Sequence, residues 1–241
     1  MTEILHRILP DDMTTPRPLP GIAPLDPARW LVVDETYAAQ MAERARLWHT
    51  ARDAVRYLQP QAEAAVAELL DQVLAHLRNS HDGFTISAAQ VRRPDGITVA
   101  IERADPLGTL AHLVQEDFCI LQKPDGAAEH ILTAAVLCFP ANWRLDEKAG
   151  RPMRAIHDPV PEYDTRIAKR VQRLFDGVQV GKPLWRFNAL RYAHPDLFHP
   201  DSKPTVDPRP YLRSERQTIL RLPQTRAVVF GIHTYVVKDM I

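Results

Sequence analysis

Apolar positions recur at helical spacing in the first third of the chain. The segment 34–58 is rich in helix-forming residues, and a second periodic segment follows Pro60. A spacing of three and four positions puts the apolar side chains on one face of a helix, and a globular protein buries that face. We therefore predict two packed helices here. The apolar stripe of the second helix consists of Val66, Leu69, Leu70, Val73, Leu74 and Leu77.

Apolar runs of strand length occupy much of the remaining chain. Residues 84–102 have strand character on both sides of the turn Pro94-Asp95-Gly96, and 106–114 is predicted to be a short helix. The loop Lys123-Pro124-Asp125-Gly126 separates two apolar runs and predicts a hairpin. Five principal strands are predicted, at 117–122, 131–139, 184–192, 214–222 and 227–237.

Helices are predicted between the second and third of these strands. One spans 142–148, and a longer one spans 164–177 with Asp164 as its N-cap. The surface of the longer helix is basic, which is typical of a solvated face but could also receive an acidic partner or cofactor carboxylates. The basic residues are Arg166, Lys169, Arg170 and Arg173.

The order of elements indicates an α+β fold, because two strands are followed by several helices and then three strands. We predict a PAS-like antiparallel sheet of five strands, with helices covering one face and a cavity between the layers that suits a planar cofactor. Six prolines within 10–28 predict an extended arm. We divide the chain into a Pro-rich extended arm (1–33), an N-terminal helical and strand extension (34–105) and a PAS-like domain (106–241).

Charge and hydropathy exclude several classes of protein. Thirty basic and thirty acidic residues balance without a long run of one sign, so we do not expect a nucleic-acid partner. The first residues lack the features of a signal peptide, and no apolar run approaches membrane-spanning length. We therefore expect a cytoplasmic protein that does not bind a membrane.

The cysteines and glycines limit the cofactors that this chain can hold. Cys119 and Cys138 lie in apolar segments, where a buried thiol is common, and two cysteines cannot supply the four thiolates of an iron–sulfur cluster. The nine glycines form neither a dinucleotide-binding turn nor a phosphate-binding loop. Electrons for any redox reaction must therefore come from a partner.

Five short motifs stand out between about Pro106 and the C-terminus. They are Gln115-Glu116-Asp117-Phe118, Phe139-Pro140-x-x-Trp143, Ile156-His157-x-Pro159-Val160-Pro161-x-Tyr163, Trp185-Arg186-x-Asn188 and Glu215-Arg216-Gln217-Thr218-x-x-Arg221-Leu222-Pro223. Together they resemble the α-subunit family of haem-dependent oxidative N-demethylases. Two positions depart from the family pattern: Ala189 stands where an aromatic residue is usual, and His233 where arginine is common.

The resemblance implies a haem-binding PAS-like domain at 106–241. It implies a monooxygenase that holds haem b and oxidises a small methylated amine such as dimethylamine, with O₂ as co-substrate and formaldehyde as product. The electrons come from NADPH through a separate reductase subunit that carries flavin and an iron–sulfur centre.

His157 is the candidate metal ligand. It precedes Pro159 and Pro161, which restrict the backbone and hold this segment in place. On chemistry alone, such a histidine more often donates to a carbonyl at a helix boundary. The resemblance implies that His157 is the proximal haem ligand, with a second haem face open for O₂. His130 and His233 are the alternatives, whereas His194 and His199 belong to a loop and are expected to be exposed.

Oxidative demethylation needs a polar distal face. Glu215 and Gln217 alternate with Arg216 along a strand, so only one set can face the pocket. An inward Arg216 could stabilise bound O₂ or a haem propionate, and an inward Glu215 could hold an alkylammonium ion. An ion pair between neighbouring strands is an equally simple interpretation. Asn188 and Tyr192 are separated by an even spacing and complete the set of catalytic candidates.

Three aromatic residues are candidates for cofactor contact. Trp143, Trp185 and Tyr163 could stack against the macrocycle, although an aromatic residue at a strand end is more often part of the core.

A haem PAS gas or redox sensor and a non-catalytic haem-binding or cofactor-free module are the alternatives to an enzyme. The sensor interpretation is weakened because the chain carries no recognisable output module. Substrate-dependent NADPH consumption with formaldehyde release distinguishes the enzyme, whereas haem binding without turnover favours the sensor.

Overall fold

The computed structural model describes residues 3–13, 21–157, 165–201 and 207–238, without the side chains of His157, Thr165 and Arg166. Within these ranges the fold is α+β, as predicted. The helices are α1 (Tyr37–Thr50), α2 (Arg52–Val55), α3 (Glu63–Ser80), α4 (Pro106–Ala111), α5 (Leu145–Lys148), α6 (Met153–His157) and α7 (Thr165–Gly177).

The described residues form ten strands in two sheets. The smaller sheet, β3-β4-β5, contains the predicted turn at residues 94–96, and β6 and β7 form the predicted hairpin. The strands are β1 (Ala23–Pro24), β2 (Arg56–Leu58), β3 (Thr85–Ile86), β4 (Gln90–Arg92), β5 (Thr98–Ala100), β6 (Asp117–Gln122), β7 (Ile131–Val136), β8 (Leu184–Tyr192), β9 (Tyr211–Arg221) and β10 (Val228–Lys238).

The larger sheet has seven strands in the order β1-β8-β9-β10-β6-β7-β2, so the prediction of five was too low. The five predicted strands form its centre, and all its neighbouring pairs are antiparallel. The two additional strands come from the N-terminal region and pair at the two edges. Arg56–Leu58 was predicted to be helical, but its pairing with β7 overrides the local preference. Pro24 is tolerated in β1 because an edge strand can lack one N–H donor.

Both faces of this sheet are covered. Neighbouring residues of β6 point in opposite directions, and Phe118 packs with α1, α3 and α4 whereas Cys119 packs with α5, α6 and α7. The helices between β7 and β8 therefore cover one face, as predicted. The N-terminal helices cover the other face, which makes the molecule three-layered.

The N-terminal layer follows the predicted helical pattern. The six apolar stripe residues of α3 are all buried in the core between this layer and the sheet. Helix α4 begins with Pro106, and the Asp105 carboxylate caps it by accepting a hydrogen bond of 3.3 Å from the Gly108 N–H. The expected cap at Asp164 lies outside the described residues.

Helices α6 and α7 sit on the second face. Met153 and Phe175 are buried there, with Ile156 packed beside them. Lys148 Nζ donates a 2.6 Å hydrogen bond to the Ile156 carbonyl, where a cation is favoured by the helix dipole. This contact fixes the C-terminal end of α6, one residue before His157.

Candidate functional site

The sheet face beneath α6 and α7 combines an apolar area with a polar one. Directly opposite residues of antiparallel strands project to the same face. Leu184 lies opposite Ile219, and both pack with α7. Two positions further along β8, Arg186 lies opposite Gln217, and two positions after that, Asn188 lies opposite Glu215. We call these last four residues the polar patch.

Glu215 is the centre of the polar patch. Asn188 Nδ2 and Gln217 Nε2 both donate to its Oε2, at 3.1 Å and 3.2 Å. Arg213 Nη2 lies 3.5 Å from Oε1. The backbone N–H of Glu215 in turn donates to Asn188 Oδ1 at 3.1 Å. The carboxylate is therefore an oriented acceptor, and its side chain is 14% exposed.

Arg213 connects this carboxylate to the rest of the fold. Its guanidinium donates to the carbonyl of Leu197 at 2.9 Å and to that of Phe139 at 2.5 Å. The loop after β8 and the segment after β7 are thereby tied to the first residues of β9.

Arg186 differs from the other members of the polar patch. Its Nε is shielded from solvent and has no hydrogen-bond partner. Burial lowers the pKa of its guanidinium, and the charge of nearby Glu215 opposes that shift. Sequence analysis placed Arg186 in a motif but assigned it no role.

Arg216 and Trp185 lie on the opposite face of the sheet. Arg216 donates to the carbonyls of Trp30 at 3.1 Å and Arg29 at 2.6 Å, which ties the N-terminal segment to β9. The Trp185 ring stacks on Phe187, with centroids 6.3 Å apart, and lies 5.7 Å from the Arg216 guanidinium. The structure thus separates Glu215 from Arg216.

The remaining candidates are near the α6 side of the fold. His157 is the last residue of α6, and its side chain is outside the described part, as is all of Tyr163. Trp143 is half-buried and, like Ile156, packs against the apolar core on this face. The Tyr192 hydroxyl accepts a hydrogen bond of 3.1 Å from Asn142 Nδ2, and burial raises its pKa.

Sequence analysis also considered His130, His194 and His199. His130 is buried, with Nδ1 2.9 Å from Gln172 Nε2, and burial lowers its pKa so that the ring is neutral. His194 is half-buried and His199 is buried, so the expected exposure of His199 was wrong. The reason is that the His199 backbone bonds to Pro140 and Asn142, which draws the loop onto the end of β7.

A buried ionic cluster on the N-terminal face escaped sequence analysis. His6 Nε2 and His233 Nε2 lie 2.8 Å and 2.9 Å from the same Asp34 oxygen, and His233 Nδ1 lies 3.3 Å from Glu116 Oε1. Burial alone would lower the pKa of His233, but hydrogen bonds to Asp34 and Glu116 raise it to about 9. His233 is thus an imidazolium between two carboxylates.

His6, Asp34 and His233 are also close enough to be considered as metal ligands. However, the Val236 N–H donates to His6 Nδ1 at 3.2 Å, so His6 carries its proton on Nε2. That proton is directed at Asp34, which leaves no free lone pair on this nitrogen for a metal. The cluster is a hydrogen-bonded network. Its members are so far apart in the chain that no local motif could have revealed it.

A family model described as "haem-dependent oxidative N-demethylase, alpha subunit-like" matches residues 21–239. The chain belongs to this family. The match begins well before Pro106, where the resemblance was first identified, so the N-terminal helices are part of the family's pattern. The family is named for one subunit of a larger enzyme and for its dependence on haem.

The described side chains on the α6–α7 face fit the haem for which the family is named. The adjoining positions of the sheet are apolar, with Ile219 and Ile232 buried in the core beneath the helices and Leu184 only partly buried. The unpartnered Nε of Arg186 lies beside these positions and suits an acidic substituent at the edge of a planar apolar group.

The first family motif is structural in this member. Asp117 is fully buried and accepts hydrogen bonds from Arg44, at 2.6 Å, and from the backbone N–H groups of Cys138 and Phe139. Glu116 accepts a 2.7 Å hydrogen bond from the Val32 N–H. Both cysteines are buried, which raises the pKa of each thiol to about 12.

In the described ranges, no helix of this family member combines the length and the apolar character needed to span a bilayer.

Proposed function

We propose that this protein is the haem-binding, catalytic subunit of an oxidative N-demethylase that acts on a small alkylammonium substrate. The observation that carries the proposal is the Glu215 carboxylate, held by amide donors on the sheet face that also carries apolar side chains. Dimethylamine is the simplest substrate of this class. It is a cation at neutral pH and is small enough to approach a carboxylate beside a bound haem.

We infer that residues 106–241 are a PAS-like domain and that haem b binds between its sheet and helices α6 and α7. Five long strands with the helices inserted between β7 and β8 support this interpretation. The arm at 1–33 and the extension at 34–105 are proposed as its additions.

We assign the proximal ligand to His157. Helix α6 is anchored to the sheet by Met153 and Ile156 and is fixed at its end by Lys148. A side chain at the end of such a helix would start from a fixed backbone position, which favours a ligand role toward haem iron. His130 is the competing ligand, but its Nδ1 is engaged by Gln172 and its ring packs on Phe175.

Glu215 binds the substrate ammonium in this proposal. Asn188 and Gln217 orient the carboxylate by donating to one oxygen, Oε2. Oε1 is the oxygen that receives the substrate N–H in this proposal, because among the described residues its one partner is Arg213, in a long ion pair of 3.5 Å. The resulting charge pair would hold the substrate, with an N-methyl group directed toward the bound haem. In this proposal Trp143 is an aromatic lining residue of the pocket, and Tyr192, the last residue of β8, lines the pocket at that end of the strand.

Arg216 and Trp185 are not used by the proposed site. Their contacts are to Trp30, Arg29 and Phe187 on the opposite face, so we assign Arg216 to the attachment of the N-terminal segment.

Haem supplies O₂ activation when it is bound. The overall reaction converts (CH₃)₂NH, O₂, two electrons and two protons into CH₃NH₂, CH₂O and H₂O. One oxygen atom enters the methyl group, whose C–N bond then breaks as the hydroxylated product releases formaldehyde. We propose that NADPH provides the electrons through a separate flavin and iron–sulfur subunit, and that the reaction takes place in the cytoplasm.

Turnover of a deuterated substrate tests the proposal. The haem-loaded protein receives electrons from light-reduced deazaflavin and is supplied with O₂ and d₆-dimethylamine. We expect d₂-formaldehyde and d₃-methylamine in equal amounts. Glu215→Gln is expected to reduce this yield at least tenfold, whereas the exposed control Lys182→Gln is expected to retain it. Formaldehyde formation that is independent of Glu215 would refute the assigned role of this residue.

A further inference from the structure

Arg186 is a cation without a counterpart. In the part of the chain that the structure describes, its guanidinium donates no hydrogen bond, and its Nε is closed off from solvent. The buried Nε–H costs free energy unless an acceptor binds to it. The family's haem dependence alone does not say which side chain would meet such an anion.

The nearest carboxylate does not serve as that anion. Glu215 lies one row further along the sheet, and its Oε2 is already shared by Asn188 and Gln217. Its other oxygen forms an ion pair of 3.5 Å with Arg213, and Arg186 forms no ion pair within the described residues. Glu215 therefore has partners of its own, and Arg186 is left for another anion.

The surroundings of Arg186 indicate what kind of anion it receives. Gln217 lies opposite it on β9, and Ile232 follows in the same row on β10. The preceding row is apolar and includes Leu184 and Ile219. A ligand that contacts both rows has an apolar body and a carboxylate at its edge. Arginine matches a carboxylate with two parallel N–H groups.

We propose that Arg186 binds a propionate carboxylate of haem and thereby sets the orientation of the macrocycle over β8, β9 and β10. This rests on the proposed function. In this arrangement, Arg186 binds the cofactor carboxylate and Glu215 binds the cationic substrate. The alternation along β8 and β9 thus keeps the two charges of the site apart.

Haem titration of the apoprotein tests this assignment without any catalytic assay. Haem and its dimethyl ester are compared, because esterification removes the propionate charges and leaves the apolar body intact. The variants are Arg186→Gln, Arg186→Lys and the control Lys182→Gln, an exposed cation just before β8. Thermal unfolding of each apoprotein is measured in parallel.

We expect Arg186→Gln to weaken haem binding about tenfold or more while leaving the affinity for the ester unchanged. Arg186→Lys should retain part of the haem affinity, since lysine keeps the positive charge but lacks the two parallel N–H groups of arginine. The axial ligation spectrum should be the same in all variants. Lys182→Gln should behave as the unmodified protein.

Equal loss of affinity for haem and ester in Arg186→Gln would overturn the proposal, as would no loss for either. A large fall in the apoprotein melting temperature of Arg186→Gln would also overturn it, because Arg186 would then have a partner inside the protein. If the unmodified protein binds no haem, the proposed function fails together with this inference. If the unmodified protein binds haem and the Arg186 variants bind it equally well, the inference is wrong but the proposed function is not contradicted.

Discussion

Asn188 and Glu215 face each other on β8 and β9 and are joined by two hydrogen bonds of 3.1 Å, one to the Glu215 carboxylate and one from its backbone N–H. The amide thus fixes both the backbone register and the carboxylate orientation. A carboxylate that is held in this way loses little freedom when a cation binds to it.

Removing this amide should weaken substrate binding. Asn188→Leu deletes both hydrogen bonds, and we expect it to raise the Kd for dimethylammonium about tenfold. Glu215→Gln removes the charge and should raise this Kd at least as much. The measurement is a titration of the haem spectrum with dimethylammonium chloride.

A variant that carries both Asn188→Leu and Glu215→Gln tests whether the two residues act together on substrate binding. If Asn188 acts by orienting Glu215, the effects of Asn188→Leu and Glu215→Gln should be clearly less than additive. Additive effects would show that Asn188 contributes independently of the carboxylate.

Removal of His157 should abolish the native axial ligation of haem. We expect His157→Ala to lose the imidazole signature in the ferric electron paramagnetic resonance spectrum, and added imidazole to restore it. His130→Ala should keep the signature, as should the exposed control His49→Ala. Unchanged ligation in His157→Ala, with a change in His130→Ala, would reassign the ligand.

The stability of the fold should fall at alkaline pH because of His233. Its folded-state pKa of about 9 lies above its ordinary value of 6.5, so the ion pairs with Asp34 and Glu116 contribute fully below pH 6.5. This contribution is lost as the pH rises through about 9. We expect the free energy of unfolding to decrease by about 3 kcal/mol across this window, as measured by urea denaturation.

Two variants separate His233 from other titrating groups. The titratable or charged groups near His233 are Asp34, Glu116, His6, Tyr235 and the directly opposite Arg216. His233→Gln should flatten the pH profile and lower stability at neutral pH. His233→Arg retains the cation and should flatten the profile with a smaller loss. A profile that is unchanged in His233→Gln would contradict the assignment.

Arg44 should be essential for stability. It is fully buried, donates to Asp117 at 2.6 Å and also binds the backbone carbonyls of Ala111, Gln115 and Glu116. Arg44→Met leaves the Asp117 charge and these carbonyls without a partner, and should cost about 3–5 kcal/mol.

A neighbouring arginine on α1 is the control. Arg46 pairs with Glu43 on the exposed side of the helix, so Arg46→Met should cost at most about 1 kcal/mol in urea denaturation. Similar losses for Arg44→Met and Arg46→Met would contradict the importance of the buried network.

Gly231 should resist substitution because of its neighbour on β9. A Cβ at this position would lie 2.6 Å from Thr218 Oγ1, so Gly231→Ala should cost about 1–3 kcal/mol. Thr218→Ala should rescue much of this loss, since Thr218 Oγ1 has no hydrogen-bond partner to lose. Gly177→Ala, where a Cβ meets no atom within 4 Å, should be neutral or slightly stabilising. Lack of rescue would mean that the backbone, and not this contact, requires glycine.

The sequence pattern correctly predicted the elements that have a clear apolar periodicity of their own. Strand β8 spans Leu184–Tyr192 as predicted, and α7 begins within one residue of its predicted start. The edge strands β1 and β2 were missed because each is set by pairing with a distant strand. Arg56–Leu58 has only three residues and follows a helical sequence, so pairing alone identifies it.

Alternation also predicted that Glu215 and Arg216 lie on opposite faces, but not which face holds the site. That choice depends on the long-range contacts of Arg216 with Arg29 and Trp30. The importance of Arg186 depends on the absence of a partner for its Nε, which only three-dimensional packing reveals. The network around His233 likewise joins residues from both ends of the chain.

The most direct test of the account is the visible absorption spectrum of the protein produced with adequate haem. Spectra are recorded in the ferric form and after dithionite reduction, with and without carbon monoxide. The account predicts a Soret band and a carbon monoxide complex typical of histidine ligation, with an open second face. The absence of a Soret band after titration with haem would contradict the proposed site and every role assigned within it.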